Sequence, residues 1–376
     1  MSFRILVVSQ LPPPHHGSTV MTQRFMGALV HNGVDTKIVQ KTFSRKMGEV
    51  GKISILKILK IPFLCFRLMY AVRTFKPDIC FYFITVGVSS LLVDSFLLWI
   101  LRRHNVSYVL YFHGKGYKSH ENHRYNLIRY IIRKTLSYAL GGLVLGKMLK
   151  DDVAHCIPVD RLYVLPNSVP DIGYKERSIE TASDKVANII FLSNLVPTKG
   201  PMEFLEMAKL VSEKEPSVRF ILAGQHTDRN FSKELMEYVE QQSLQDVVEF
   251  RGAVFGEAKE KLFQDAHLMV FPTYFEKETF GLVNIEAMQW GLPVISSDKG
   301  AIPDIVKDGI NGFIVNPHNI SQMAERVLRL IRNPDLRHTM GKAGRRLYEE
   351  NYSLAAYNRN VKKAIKFFIG LNQVRR

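Results

Sequence analysis

Short apolar runs, β-branched and aromatic, alternate along this chain with longer stretches of helical periodicity. "FRILVVSQ" (3–10) begins the series, a proline- and histidine-rich loop follows, and "TVMTQRFMGALVHNG" reads as the first helix. "DTKIVQK", "DICFYFIT", "SYVLYFHG" (107–114), "GGLVLG" (141–146) and "RLYVLPNSV" (161–169) continue the strands, with a basic helical stretch at 52–76 broken near Pro62. Runs so short and so uniformly apolar suit strands covered on both faces, and strands alternating with helices build a mostly parallel sheet. The polar stretch "SIETASDK" (178–185) interrupts the rhythm. It restarts with "VANIIFLSNL", "VRFILAGQ", "VVEFRGAV", "AHLMVFPT" and "LPVISSD", separated by helical patterns. The expected fold is therefore α/β, two Rossmann-like doubly wound domains facing each other across a cleft. Residues 1–180 form the first and 181–352 the second, with the helical end 353–376 available to pack back on the first. A length of 376 residues suits two such cores.

One apolar stretch is long enough to span a bilayer: residues 79–101, "ICFYFITVGVSSLLVDSFLLWIL", whose single charge is Asp94. Gly87 and the pair Ser89–Ser90 divide it, so strand, loop and a serine-capped helix ending in two arginines are expected instead. Charge is distributed unevenly. Residues 1–180 carry 25 Lys and Arg against 11 Asp and Glu, a balance of +14, whereas 181–376 carry 26 against 24. A basic first half attracts nucleic acid, an anionic membrane surface or a phosphorylated substrate, with ordinary solvated surface as the plain alternative. The three cysteines show no C-x-x-C spacing and read as reduced thiols of a cytosolic protein. The apolar run after Arg4 is only "ILVV", too short for a secretory signal.

Open α/β sheets bind ligands outside the carboxyl ends of their strands, so the loops there carry the functional expectations. "FEKETFGLVNIEAM" (275–288) follows the strand "HLMVFPT" and leads into a helix from about Leu282 through Trp290. The amides of Phe280, Gly281, Leu282 and Val283 open that helix, an arrangement that favours phosphate, and Gly281 lets the backbone approach it. Glu278 in the loop and Glu286 inside the helix are then explained as acceptors for sugar hydroxyls on either side of a diphosphate. Taken alone, Glu278 is equally a capping acid and Glu286 a solvated helix residue. "FLSNLVPTKG" adds Asn194 and Lys199, the latter placed to neutralise a leaving diphosphate or simply solvated. "LPPPHHGSTV" supplies Gly17 beside His15 and His16, which read as surface, and "YFHGKG" supplies His113 at a strand end.

Other chemistry is poorly represented. "HGKGYK" lacks the third glycine of a dinucleotide fingerprint, and neither a G-x-S-x-G elbow nor a P-loop lysine motif occurs. His120 and His123 in "SHENH" have no further ligands nearby and read as surface.

Taken together, "ETFGLVNIE" as an E-x7-E motif, "FLSNLVPTKG", "VLPNSV" and "GLPVISSDKGAIPDIVKDGINGFIV" resemble the retaining glycosyltransferases of family 4, of GT-B fold. The resemblance implies that Glu278 contacts the donor sugar, Glu286 the ribose and Lys199 the diphosphate. Thr279, Phe280, Gly281 and Leu282 would line the phosphate site, Gly17 would approach donor phosphate or acceptor, and the backbone at Gly252–Val254 would hold the base. His113 would sit beside the reacting carbon, making His113, Glu278 and Lys199 the catalytic set. Family members commonly have Gly-Arg-Leu where this chain has Ser193-Asn194-Leu195, which removes one of two usual cations.

The resemblance further implies a nucleotide-sugar donor, a glycan or lipid-linked sugar acceptor, no cofactor and no metal, and retention by same-face attack. With the basic segment 52–76 it suggests a cytoplasmic protein docking on the inner face of the cell membrane. A nucleotide-sugar epimerase on this fold would need a second acid–base group beside His113. A nucleic-acid binder would use the +14 but has no recognisable binding motif.

Overall fold

The computed structural model describes residues 3–13, 17–41, 59–172 and 186–375. The polar stretch 178–185, His15, His16 and the basic residues 52–58 lie outside them. Two compact units result. Met1–Asn167 together with Ala355–Arg376 form the first, and Ser168–Leu354 form the second. The second is thus a continuous segment set between two pieces of the first.

The first unit is a six-stranded sheet. Its strands are β1 (Arg4–Ser9), β2 (Asp35–Gln40), β3 (Ile79–Ile84), β4 (Tyr108–Phe112), β5 (Gly141–Val144) and β6 (Leu162–Val164). Their order is β2-β1-β3-β4-β5-β6, every pair parallel. β3 is buried along its whole length, as its aliphatic and aromatic residues require with helices on both faces. The last helix, Leu354–Arg375, belongs largely to this unit. Phe368 meets Phe81 edge-on at 5.9 Å, the Tyr357 and Tyr111 hydroxyls lie 3.4 Å apart, and Asn372 Nδ2 donates to the Asp78 carbonyl at 3.3 Å.

The stretch 79–101 folds as strand and helix, and among the described residues no helix is long and apolar enough to cross a membrane. Its helix, Val88–Arg103, begins one residue before the two serines expected to cap it. The N-cap is Gly87 in an extended conformation, with no side-chain cap. Pro62 stands in the first turn of the helix Ile61–Phe75, where its missing N–H costs nothing.

Asp94, the lone charge of the apolar stretch, is buried and fully partnered. Lys41 at the end of β2 donates to it at 3.0 Å, Tyr82 Oη at 2.5 Å, and Thr85 through N and Oγ1 at 2.9 and 2.6 Å. Lys41 also donates to the Phe83 carbonyl at 2.6 Å. The three cysteines are free and buried.

The second unit is another parallel six-stranded sheet. It comprises β7 (Ala187–Leu192), β8 (Val218–Ala223), β9 (Val248–Gly252), β10 (Leu268–Phe271), β11 (Val294–Ser296) and β12 (Gly312–Ile314). The order is β12-β11-β10-β7-β8-β9. Strand sequence reverses between β7 and β10, the position where a doubly wound sheet opens a crevice at its carboxyl edge. β12, Gly312–Ile314, is absent from the strand series expected above; it starts on a glycine, straight after the glycine-bearing turn 307–311.

Candidate functional site

The loops leaving β7 and β10 are the ones at that reversal, and they are seated on each other. After β7, Ser193 N donates to the Ala223 carbonyl at 3.0 Å and Leu195 N to the Gln225 carbonyl at 2.9 Å. A single 3-10 turn, Pro197–Lys199, then ends at Gly200 with φ 84°, and the helix Pro201–Ser212 begins. A Cβ on Gly200 would lie 2.4 Å from the Pro272 carbonyl oxygen of the β10 loop. The same contact is fastened by Tyr274 N donating to the Thr198 carbonyl at 2.9 Å and Thr273 Oγ1 donating to it at 3.3 Å.

The β10 loop is also held from its other side. Ser297 Oγ donates to the Thr273 carbonyl at 2.5 Å and Ala301 N to the Thr279 carbonyl at 2.9 Å. Gly300, at φ 57°, lies so close that its Cβ would stand 2.4 Å from the Glu278 carbonyl oxygen and 2.7 Å from that of Thr279. A Gly300→Ala variant is expected to lose about 2 kcal/mol or more in urea unfolding, from left-handed strain plus the clash. It should also displace Glu278, because the backbone that has to give way carries that residue.

Glu278 is 8% exposed and Lys199 Nζ donates to its Oε2 at 2.6 Å. The ammonium also lies over the Phe275 ring, 4.8 Å from its centroid, so an apolar wall fixes its direction. Three residues further on the chain turns at Gly281, φ 67°, into the helix Leu282–Gln289, whose N-terminus has no side-chain cap. Glu286, on that helix, is gripped by Lys259 at 2.7 Å. At the rim Lys299 pairs with Glu276 at 2.7 Å. Amide dipoles at a helix start beside a lysine suit a phosphate oxygen, and the half-buried or buried carboxylates suit hydroxyl donors.

The structure thus brings Lys199, Glu278, Thr279, Gly281 and Leu282 together and places Glu286 on the same helix as Leu282. Phe280 is different: its side chain is buried, packing against the Tyr352 ring at 6.2 Å, so only its backbone faces the loop chemistry. Asn194 is exposed beside the β7 loop, Gly252 (φ 68°) ends β9 with open space at its Cβ position, and Val254 is half-buried just beyond.

Gly17 and His113 belong to the first unit. Gly17 is the first residue of the helix Gly17–His31, and His113 follows β4 with its ring stacked on Phe83 at 5.1 Å. His120 corrects an expectation: it is buried, not on the surface, and its Nε2 lies 2.7 Å from the Val86 carbonyl oxygen. The loop 113–125 folds back over the sheet and carries that ring inward.

Lys259 and Lys299 were not foreseen. Each lies more than twenty residues from its glutamate, and nothing in the local pattern marks either. Asn284, also unforeseen, is fully buried beneath Gly281, its carboxamide without a hydrogen-bond partner among the described residues.

Residues 174–347 match the family model of glycosyl transferases, group 1. That span of the glycosyl transferase match contains both loops, with Lys199, Glu278 and Glu286. Among curated relatives, a D-inositol 3-phosphate glycosyltransferase of Paenarthrobacter aurescens is 28% identical over 193 residues, 49% of this chain and 46% of the relative. A poly(ribitol-phosphate) alpha-N-acetylglucosaminyltransferase of Staphylococcus aureus is 28% identical over 214 residues, 57% and 41%. The matches therefore span less than half the length of these relatives.

Among solved structures, Anabaena HepE in complex with UDP superposes with TM-score 0.71 at 15% identity, over 97% of this chain and 100% of that one. A glycosyltransferase of Rickettsia africae gives TM-score 0.74 at 17% identity, over 98% of each chain. At such identities the likeness is one of fold, and the fold is the two-domain, Rossmann-like GT-B type.

Proposed function

We propose that this chain is a retaining glycosyltransferase of family 4 type that takes a sugar from a nucleotide-sugar donor. Its acceptor is a glycan or a lipid-linked sugar, in the synthesis of cell-surface polysaccharide on the inner face of the membrane. The observation that carries the reading is the Lys199–Glu278 pair set beside the uncapped helix start at the β7/β10 reversal. The glycosyltransferase names of the relatives support it, as do structural neighbours solved with UDP and with UDP-glucose. They favour neither an epimerase nor a nucleic-acid binder.

In the proposed reaction the pair exchanges partners. The diphosphate takes the Lys199 ammonium and the amides of Leu282 and Val283, while Glu278 takes sugar hydroxyls. As the anomeric C–O bond breaks, negative charge grows on the diphosphate and these donors stabilise it. The acceptor oxygen bonds to the anomeric carbon from the face the diphosphate leaves, and its proton passes to the departing phosphate oxygen. Glu286 holds the ribose, oriented by Lys259. His113 has its place in this proposal through the family resemblance alone. No metal enters the scheme, since the lysine and the helix dipole carry the charge.

Thermal-shift measurements with UDP-, GDP-, ADP- and CDP-sugars test the reading. One base should raise the melting temperature, because a ligand that binds only the folded state stabilises it. No shift with any of the four would remove the donor assignment. Glu286→Gln is expected to raise the donor KM roughly tenfold with little change in kcat, the signature of lost uniform binding.

A further inference from the structure

Unit one carries a surface that the donor site does not use. Helices Ile61–Phe75 and Asn126–Ser137 both pack against Val88–Arg103, forming three neighbouring helices on the first sheet. Large apolar side chains on them face solvent. Phe63, Phe66 and Tyr70 recur at helical spacing along the first, Phe96 and Trp99 stack at 5.7 Å on the second, and Tyr130 stands on the third; each is at least half exposed. Between the second and third helices runs a groove of about 450 Å³ walled by Phe96, Trp99 and Tyr130, with Arg102 and Lys134 on its lining.

The charge pattern selects the occupant. These three helices carry seven Arg and Lys and a single acid, Asp94, which is buried and consumed by Lys41. The cations lie against aromatic rings: Arg102 over Tyr138 at 3.3 Å, Lys134 over Tyr130 at 5.1 Å, Arg67 over Phe63 at 5.9 Å. A protein-binding groove has no need to be cationic throughout. A layer with anionic phosphates above hydrocarbon matches both features, because amphipathic rings settle at the headgroup level and Lys and Arg reach the phosphates.

We propose that this three-helix face docks on an anionic phospholipid bilayer, with Phe96, Trp99 and Tyr130 entering the headgroup layer and Arg102 and Lys134 binding phosphate. The surface lies within one unit and holds whether or not the donor site acts as proposed.

Co-sedimentation of the full chain with vesicles tests it. The chain should partition onto phosphatidylcholine–phosphatidylglycerol vesicles at low salt, far less onto phosphatidylcholine alone, and should leave the anionic vesicles as salt rises. The double variant Arg102→Glu/Lys134→Glu should lower the partition coefficient roughly tenfold or more, and Trp99→Ala several-fold. Unaltered thermal unfolding of these variants shows that the loss is not misfolding. Variant partition equal to that of the parent chain, or no preference for anionic vesicles, overturns the proposal. So does salt-sensitive binding of RNA without vesicle binding, or a change of oligomeric state in the variants without lipid. A chain that binds vesicles but no nucleotide-sugar keeps this surface and loses only the donor reading.

Discussion

Replacing Lys199 by alanine is expected to lower kcat about 100-fold, with a smaller effect on donor KM. The ammonium lies over the Phe275 ring as well as 2.6 Å from Glu278, so in the proposed reaction the apolar wall holds it in place when the diphosphate replaces the carboxylate. An interaction that strengthens as the leaving diphosphate gains charge acts on the transition state more than on the bound substrate. Lys199→Arg keeps the charge but replaces a compact ammonium with a planar fork, and should fall between the two. Steady-state kinetics with the donor found by thermal shift provide the measurement. An alanine variant with unchanged turnover ends the assignment of Lys199 to the diphosphate.

Asp94→Ala is expected to cost about 3–5 kcal/mol of stability, the largest effect of any single change considered for this chain. It strands a lysine at the end of β2, two hydroxyls and an amide, all of which the carboxylate now satisfies. A buried ammonium without its counterion is the costly part; the unpaired hydroxyls add desolvation. The double change Lys41→Met/Asp94→Ala should recover much of the loss, because it removes the orphaned charge with its partner. Urea unfolding of the three proteins checks this. A single-variant loss below about 1 kcal/mol would mean the network is not holding β2 to the helix Val88–Arg103.

Asp94 also shows how far sequence reasoning reaches. A lone acid in an apolar stretch announces that something must neutralise it, but Lys41, 53 residues earlier, is named only when β2 and the helix are brought together. The two sheets were legible because buried parallel strands leave uninterrupted apolar runs; β12 was not, since Gly309 and Gly312 mark its stretch as a turn. The site loops were legible for a related reason. Gly281 and Gly200 punctuate strand-to-helix turns, and turns at carboxyl ends of strands are where such sheets keep their chemistry. What stayed invisible were the long-range partners, Lys259 for Glu286 and Lys299 for Glu276, because an ion pair across elements has no spacing rule. His120 was misjudged for the opposite reason: a polar local sequence cannot report that its loop folds inward onto the Val86 carbonyl.

The second unit is an uninterrupted stretch, whereas the first takes back its closing helix only after that stretch has been made. During synthesis, the sheet translated earliest would stay without the Phe368 and Tyr357 side chains that cover β3 and β4 until residues beyond 354 emerge. The unit holding Lys199 and Glu278 is complete before then. Domains fold as units while the ribosome works, so maturation of this protein should run against the order of its text, the later-translated lobe settling first.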